Sequence, residues 1–154
     1  MKTILVPVDF NPLATAALHY AAQLAQQSGA TLIVMYADTF EPPAEFTAEQ
    51  TGTVAASIAD SRRRTAAELE RYAHVHVPET VAVQTEVREA LPVEGILAAI
   101  EEHRPDLVVM GTHGRGGIVR LALGSTADAV MRASDRPVLL VPDNPEPDIV
   151  PASD

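Results

Sequence analysis

Five short apolar runs, separated by longer stretches of helical period, constrain this chain more than any other feature. They are Thr3–Val8, Thr31–Ala37, Val81–Val87, Asp106–Met110 and Pro137–Val141. Runs such as TLIVMYA and DLVVM are apolar at nearly every position, the pattern of strands covered on both faces rather than one. Strands that alternate with helices predict parallel pairing through right-handed crossovers. The expected architecture is an α/β fold: a single doubly wound domain over residues 1–142, with a five-stranded parallel sheet and helices on both faces.

The helical segments carry their own punctuation. Asn11-Pro12 reads as an N-cap followed by a first-turn proline, Leu13, Ala17, Tyr20 and Leu24 repeat on one face, and Ser28-Gly29 marks the stop. A second helix is expected over about Val54 to Ala73, after the long loop TFEPPAEFTAEQTG. Pro92 opens a third helix bearing Val93, Ile96, Leu97 and Ile100, and Ala127, Val130 and Met131 mark a fourth. Arg62, Arg63 and Arg64 sit among Asp60, Glu68 and Glu70, so this run reads as a solvated helix face. The acidic, proline-containing segment 143–154 is expected to be disordered.

Composition excludes several classes of function. The 154 residues contain no cysteine, so neither a disulfide framework nor a thiolate metal site is possible. No apolar run has the length of a membrane span, and MKTILVPVDF lacks a signal-peptide core, which predicts a soluble cytoplasmic protein without membrane attachment. With 11 basic and 21 acidic residues the net charge is −10, which repels a nucleic-acid backbone at long range. Against this background residues 111–136 hold four arginines and only two aspartates. A basic island on an acidic protein suits a small anion.

That island contains GTHGRGGIVRLALGST (111–126), which begins where the run DLVVM ends. In open α/β sheets, ligands bind outside the carboxyl ends of the strands where the strand order reverses. If the first and fourth strands are central neighbours, Asp9 and Gly111 face each other across that crevice. Glycines there permit positive φ and bring backbone N–H groups close to an anion. A P-loop is excluded because Lys2 is the chain's last lysine. A dinucleotide fingerprint fails because Val119 stands where its third glycine belongs. What remains is G-x-x-G, nine residues, then G-[ST]: Gly111, Gly114, Gly124 and Ser125.

This motif, together with VPVD at the first strand and the closing PVLLVP, resembles the nucleotide-binding branch of the universal stress protein family over residues 1–142. The resemblance implies an ATP site, with AMP or ADP as alternatives, in a protein of the stress response. Pro7, Val8 and Asp9 would line its adenine and ribose end, and Tyr36 would pack by the base. Met110 and Gly111 would continue the floor. Gly114, Gly124, Ser125 and Thr126 would hold phosphates, with His113 and Arg115 beside them. Mg2+ would arrive on the phosphates, because no cluster of protein ligands is evident. The family also implies the strand order 3-2-1-4-5 and a homodimer through strand 137–142.

Simpler structural roles stand beside these. Ser125 can act as an N-cap with Asp128 three residues on, and Asp9 can cap the helix begun at Asn11. His113 can be an exposed loop histidine, and Arg115 and Arg120 can face solvent. His74 and His76 read as an incidental surface pair without a third ligand. No catalytic residue is assigned, for want of a P-loop lysine, a positioned base or a carboxylate pair. A slow ATP hydrolase or phosphoryl-transfer enzyme, and a dimeric scaffold without nucleotide, are the competing classes.

Overall fold

The computed structural model describes residues 1–39, 48–112 and 123–142. Nine elements alternate: β1 (Thr3–Pro7), α1 (Pro12–Ser28), β2 (Thr31–Ala37), α2 (Ala48–His76), β3 (Val83–Arg88), α3 (Pro92–His103), β4 (Leu107–Gly111), α4 (Ser125–Ala133) and β5 (Val138–Val141). They build one five-stranded sheet in the order β3-β2-β1-β4-β5, with every pairing parallel. The expected doubly wound α/β architecture is therefore the observed one. The strand order reverses between β1 and β4, whose register pairs Ile4 with Leu107.

Two-sided burial explains the continuous apolar runs. Successive strand residues point to opposite faces. Ile4, Val6, Leu32, Val34 and Val109 accordingly join one core with Leu18 and Ala21 of α1 and Leu69 and Ala73 of α2. Leu5, Ile33, Met35, Val108 and Met110 join the other, with Ile96 and Ile100 of α3 and Val130 of α4.

Helix ends follow local chemistry. The Asn11 side chain accepts from the Leu13 N–H at 3.3 Å, Pro12 occupies the first turn, and Gly29 closes α1 in the left-handed region at φ 70°. The buried face of α1 differs from the expected stripe. It consists of Ala14, Ala17, Leu18, Ala21, Ala22 and Ala25, while Tyr20 is exposed. Alanines let the helix axis lie close to the sheet, so the larger residues Leu13 and Leu24 flank the contact instead of forming it. Met131 on α4 is likewise exposed, and Val130 and Ala127 make the contact.

Helix α2 is longer than expected at both ends and takes up Ala48–Gly52 of the anticipated loop. Among its described side chains the first buried one is Leu69, and upstream Arg62 pairs with Glu89 and Arg64 with Asp60, so the arginine run is a solvated face. Asp106 precedes β4 instead of opening it. Its carboxylate accepts from the N–H groups of Lys2 (2.5 Å) and Thr3 (3.0 Å), which holds its pKa below the usual carboxylate range. Among the described residues, no helix is long and apolar enough to cross a membrane.

Candidate functional site

At the carboxyl ends of β1, β2 and β4, where the strand order reverses, the structure opens a cavity of about 560 Å³. That volume lies within the range of small-molecule sites, roughly 300–1,000 Å³. Nine residues singled out in the sequence line it. Pro7, Val8 and Asp9 leave β1, Tyr36 is the penultimate residue of β2, Met110 and Gly111 end β4, and Gly124, Ser125 and Thr126 open α4. His113, Gly114 and Arg115, with Arg120, lie outside the described residues.

The wall opposite the strands was not legible from motifs. Pro92 and Ile96 of α3 contribute to it, as does Ala14 of α1, while Ala37 at the end of β2 and Thr39 after it also line the cavity. Helix α3 approaches so closely that a Cβ on Gly95 would stand 3.2 Å from the Cβ of Ala37. A glycine inside a helix ordinarily costs stability, and here it permits that approach.

Two poles of different chemistry face the cavity. At one, the Asp9 carboxylate accepts from the Asn11 N–H at 3.0 Å, so it steadies the entry to α1 while lining the pocket. At the other is the N-terminus of α4. Its N-cap is Gly124 rather than Ser125, and among the described residues no side chain caps it. The first-turn amides of a helix lack partners within the helix and carry the positive end of its dipole. A backbone relay fixes this terminus: the Gly124 N–H donates to the Thr112 carbonyl (2.7 Å), and the Thr112 N–H donates to the Val141 carbonyl (3.1 Å). Positive φ plays no part at Gly124, whose φ is −59°, and among the described glycines only Gly29 adopts it. The latitude that glycine offers for positive φ is thus unused at Gly124 and at Gly111, which lies in regular strand.

Phe10 is the unforeseen residue beside the site. It holds φ 59°, a conformation that costs a bulky residue on the order of 1–3 kcal/mol. Its ring lies between Tyr36 (4.8 Å between centroids) and Tyr72 (5.3 Å), and these contacts hold the turn that carries Asp9. The Tyr72 hydroxyl meets Thr15 Oγ1 at 2.7 Å. Burial pushes the Tyr72 phenol pKa up, with the Thr15 bond opposing and the Asp9 charge reinforcing the rise. Only a single local signal, an aromatic directly after Asp9, hinted at this arrangement.

Elsewhere His74 and His76 do not converge, because they lie two residues apart on a helix. Glu86, Glu102 and His103 bring ligand atoms within 4.8 Å of one another, but the Arg88 guanidinium pairs with both carboxylates and His103 with Glu86, so these groups already engage one another.

Comparison with known proteins agrees with this fold. A model of the universal stress protein family matches residues 1–142. A universal stress protein of Thermus aquaticus is 36% identical over 143 residues, covering 91% of this chain and 98% of its own. Among solved structures, the hypothetical protein MJ0577 of Methanocaldococcus jannaschii superposes with a TM-score of 0.72 at 21% identity, over 94% of this chain and 98% of that one. A universal stress protein in complex with cAMP superposes with a TM-score of 0.62 at 24% identity, over 91% and 95%.

Proposed function

The chain belongs to the universal stress protein family, and from that premise we propose that its cavity binds an adenine nucleotide, ATP or its shorter relatives AMP and ADP. The observation that carries this reading is the pairing of two poles across one cavity. Asp9 offers an acceptor for the hydroxyl or amino donors of a nucleoside, and the uncapped start of α4 offers amides to an anion. Tyr36, Met110 and Ile96 supply apolar surface between them for a flat base. That a related protein was solved in complex with cAMP supports the same ligand class.

The phosphates would lie at Gly124, Ser125 and Thr126, with Gly114, His113 and Arg115 of the intervening segment as further proposed contacts. Mg2+ would be held mainly by phosphate oxygens and water. On this reading the domain over 1–142 is a cytoplasmic regulatory module of the stress response whose nucleotide state alters its surface. Its edge strand β5, paired on one side with β4, would pair with a second copy on the other.

Mass spectrometry of ligand released from the purified chain, followed by calorimetric titration of ATP, AMP and adenosine, tests the proposal. Saturable binding of the nucleotides at one site per chain is expected. Absence of binding by all three would remove it.

A further inference from the structure

Helices α1 and α2 touch through a ladder of polar rungs. Thr15 and His19 stand four residues apart on α1, as do Tyr72 and His76 on α2, so each pair shares a helix face. The Thr15–Tyr72 hydrogen bond is the first rung. The second brings His19 Nε2 to 3.2 Å from His76 Nδ1, with the two rings tilted by 54°. Past the end of α2, Gln26 of α1 donates to the Thr80 hydroxyl at 3.3 Å. His76 also packs on the Tyr72 ring at 4.7 Å, which fixes the plane of its imidazole.

Two facing imidazole nitrogens suit a metal ion that binds nitrogen at about 2.0–2.1 Å; at a tetrahedral angle such a pair is separated by about 3.3 Å. The observed separation is already close to that value. We propose that His19 and His76 form a bidentate clamp, joining α1 to α2, for a first-row divalent cation of imidazole preference: Zn2+, Ni2+ or Cu2+. Imidazole pairs select these ions over Mg2+ and Ca2+, which prefer oxygen. His19 is exposed, so the remaining coordination positions open to water. The clamp is distinct from the nucleotide cavity, and its existence does not depend on the nucleotide reading.

The test uses the full chain without a histidine tag, titrated calorimetrically with ZnCl2. One Zn2+ per chain is expected, with affinity falling about tenfold or more in His19→Gln and in His76→Gln. His74→Gln serves as the control, because His74 faces a different surface beside Glu70 and Glu79, and it should bind as the parent does. Electron paramagnetic resonance of the parent chain loaded with Cu2+ should show coupling to two imidazole nitrogens, a readout that needs no substitution. Failure of the parent to bind Zn2+ saturably overturns the proposal. So does retention of full affinity by both glutamine variants, or a Cu2+ spectrum without the two nitrogens.

Discussion

Replacing Gly124 by valine separates the two poles of the cavity thermodynamically. The residue is the N-cap of α4, lines the cavity, and has φ −59° and ψ 150°, a conformation open to valine without backbone strain. The damage therefore comes from the side chain, which places three carbons at the helix start where an anion would sit. Excluding that anion forfeits the helix-terminus attraction, about 0.3–2 kcal/mol. It also forfeits at least one charge-assisted hydrogen bond, about 1.5–3 kcal/mol. Together these predict a loss of about 2–5 kcal/mol, or roughly 30- to 4,000-fold in the dissociation constant of ATP. Adenosine has no phosphate, so its affinity should change by less than about threefold. Titration calorimetry of both ligands on both proteins gives the four constants required. Valine is a poorer N-cap than glycine, so a cost of about 1 kcal/mol to the fold is expected alongside. Melting in the absence of ligand measures it, at about 2–4 °C. Equal weakening of ATP and adenosine, or no weakening of ATP, would refute phosphate placement at α4.

Other consequences follow from particular contacts. Tyr72→Phe and Thr15→Val each remove one partner of the 2.7 Å bond between α1 and α2. A double-mutant cycle by urea unfolding should return a coupling of about 1 kcal/mol, and a value near zero would show that the rung is idle. His76 binds protons less readily in the folded chain than in the unfolded one. Stability conferred by its neutral form is thus present above the unfolded histidine value of about 6.5 and declines as pH falls through it, levelling once the folded pKa is passed. In metal-free buffer His76→Gln should lose part of that decline, and superimposable stability profiles from about pH 7.5 to about pH 5.5 would count against the assignment. In β5 the carbonyls of Pro137 and Val141 accept from β4, so the Leu140 N–H points away from β4. Leu140→Pro should spare the sheet and release the proposed dimer to monomer in sedimentation velocity. An unchanged dimer would place the interface elsewhere.

What could be read from the sequence was local in origin. Side-chain period marks strand and helix because backbone geometry repeats every two residues or every 3.6. Asn11-Pro12 and Gly29 mark helix ends because their conformational limits act within a few residues. The alternation of such elements, with the handedness of parallel crossovers, was enough for a parallel doubly wound sheet; its strand order, which gathers Asp9, Gly111 and Gly124 around one crevice, needed the family resemblance. Packing across the sequence decided the rest. The close face of α1 is built from alanines, which carry little periodic signal because their value lies in the distance they allow. Pro92 and Ile96 reach the cavity because Gly95 lets α3 approach Ala37. His19 and His76 stand 57 residues apart and meet because two helices on the same sheet face align their fourth-residue steps. Patterns along a chain report what each segment prefers, whereas contacts between segments depend on how many neighbours must be accommodated at once. Only the folded protein resolves that.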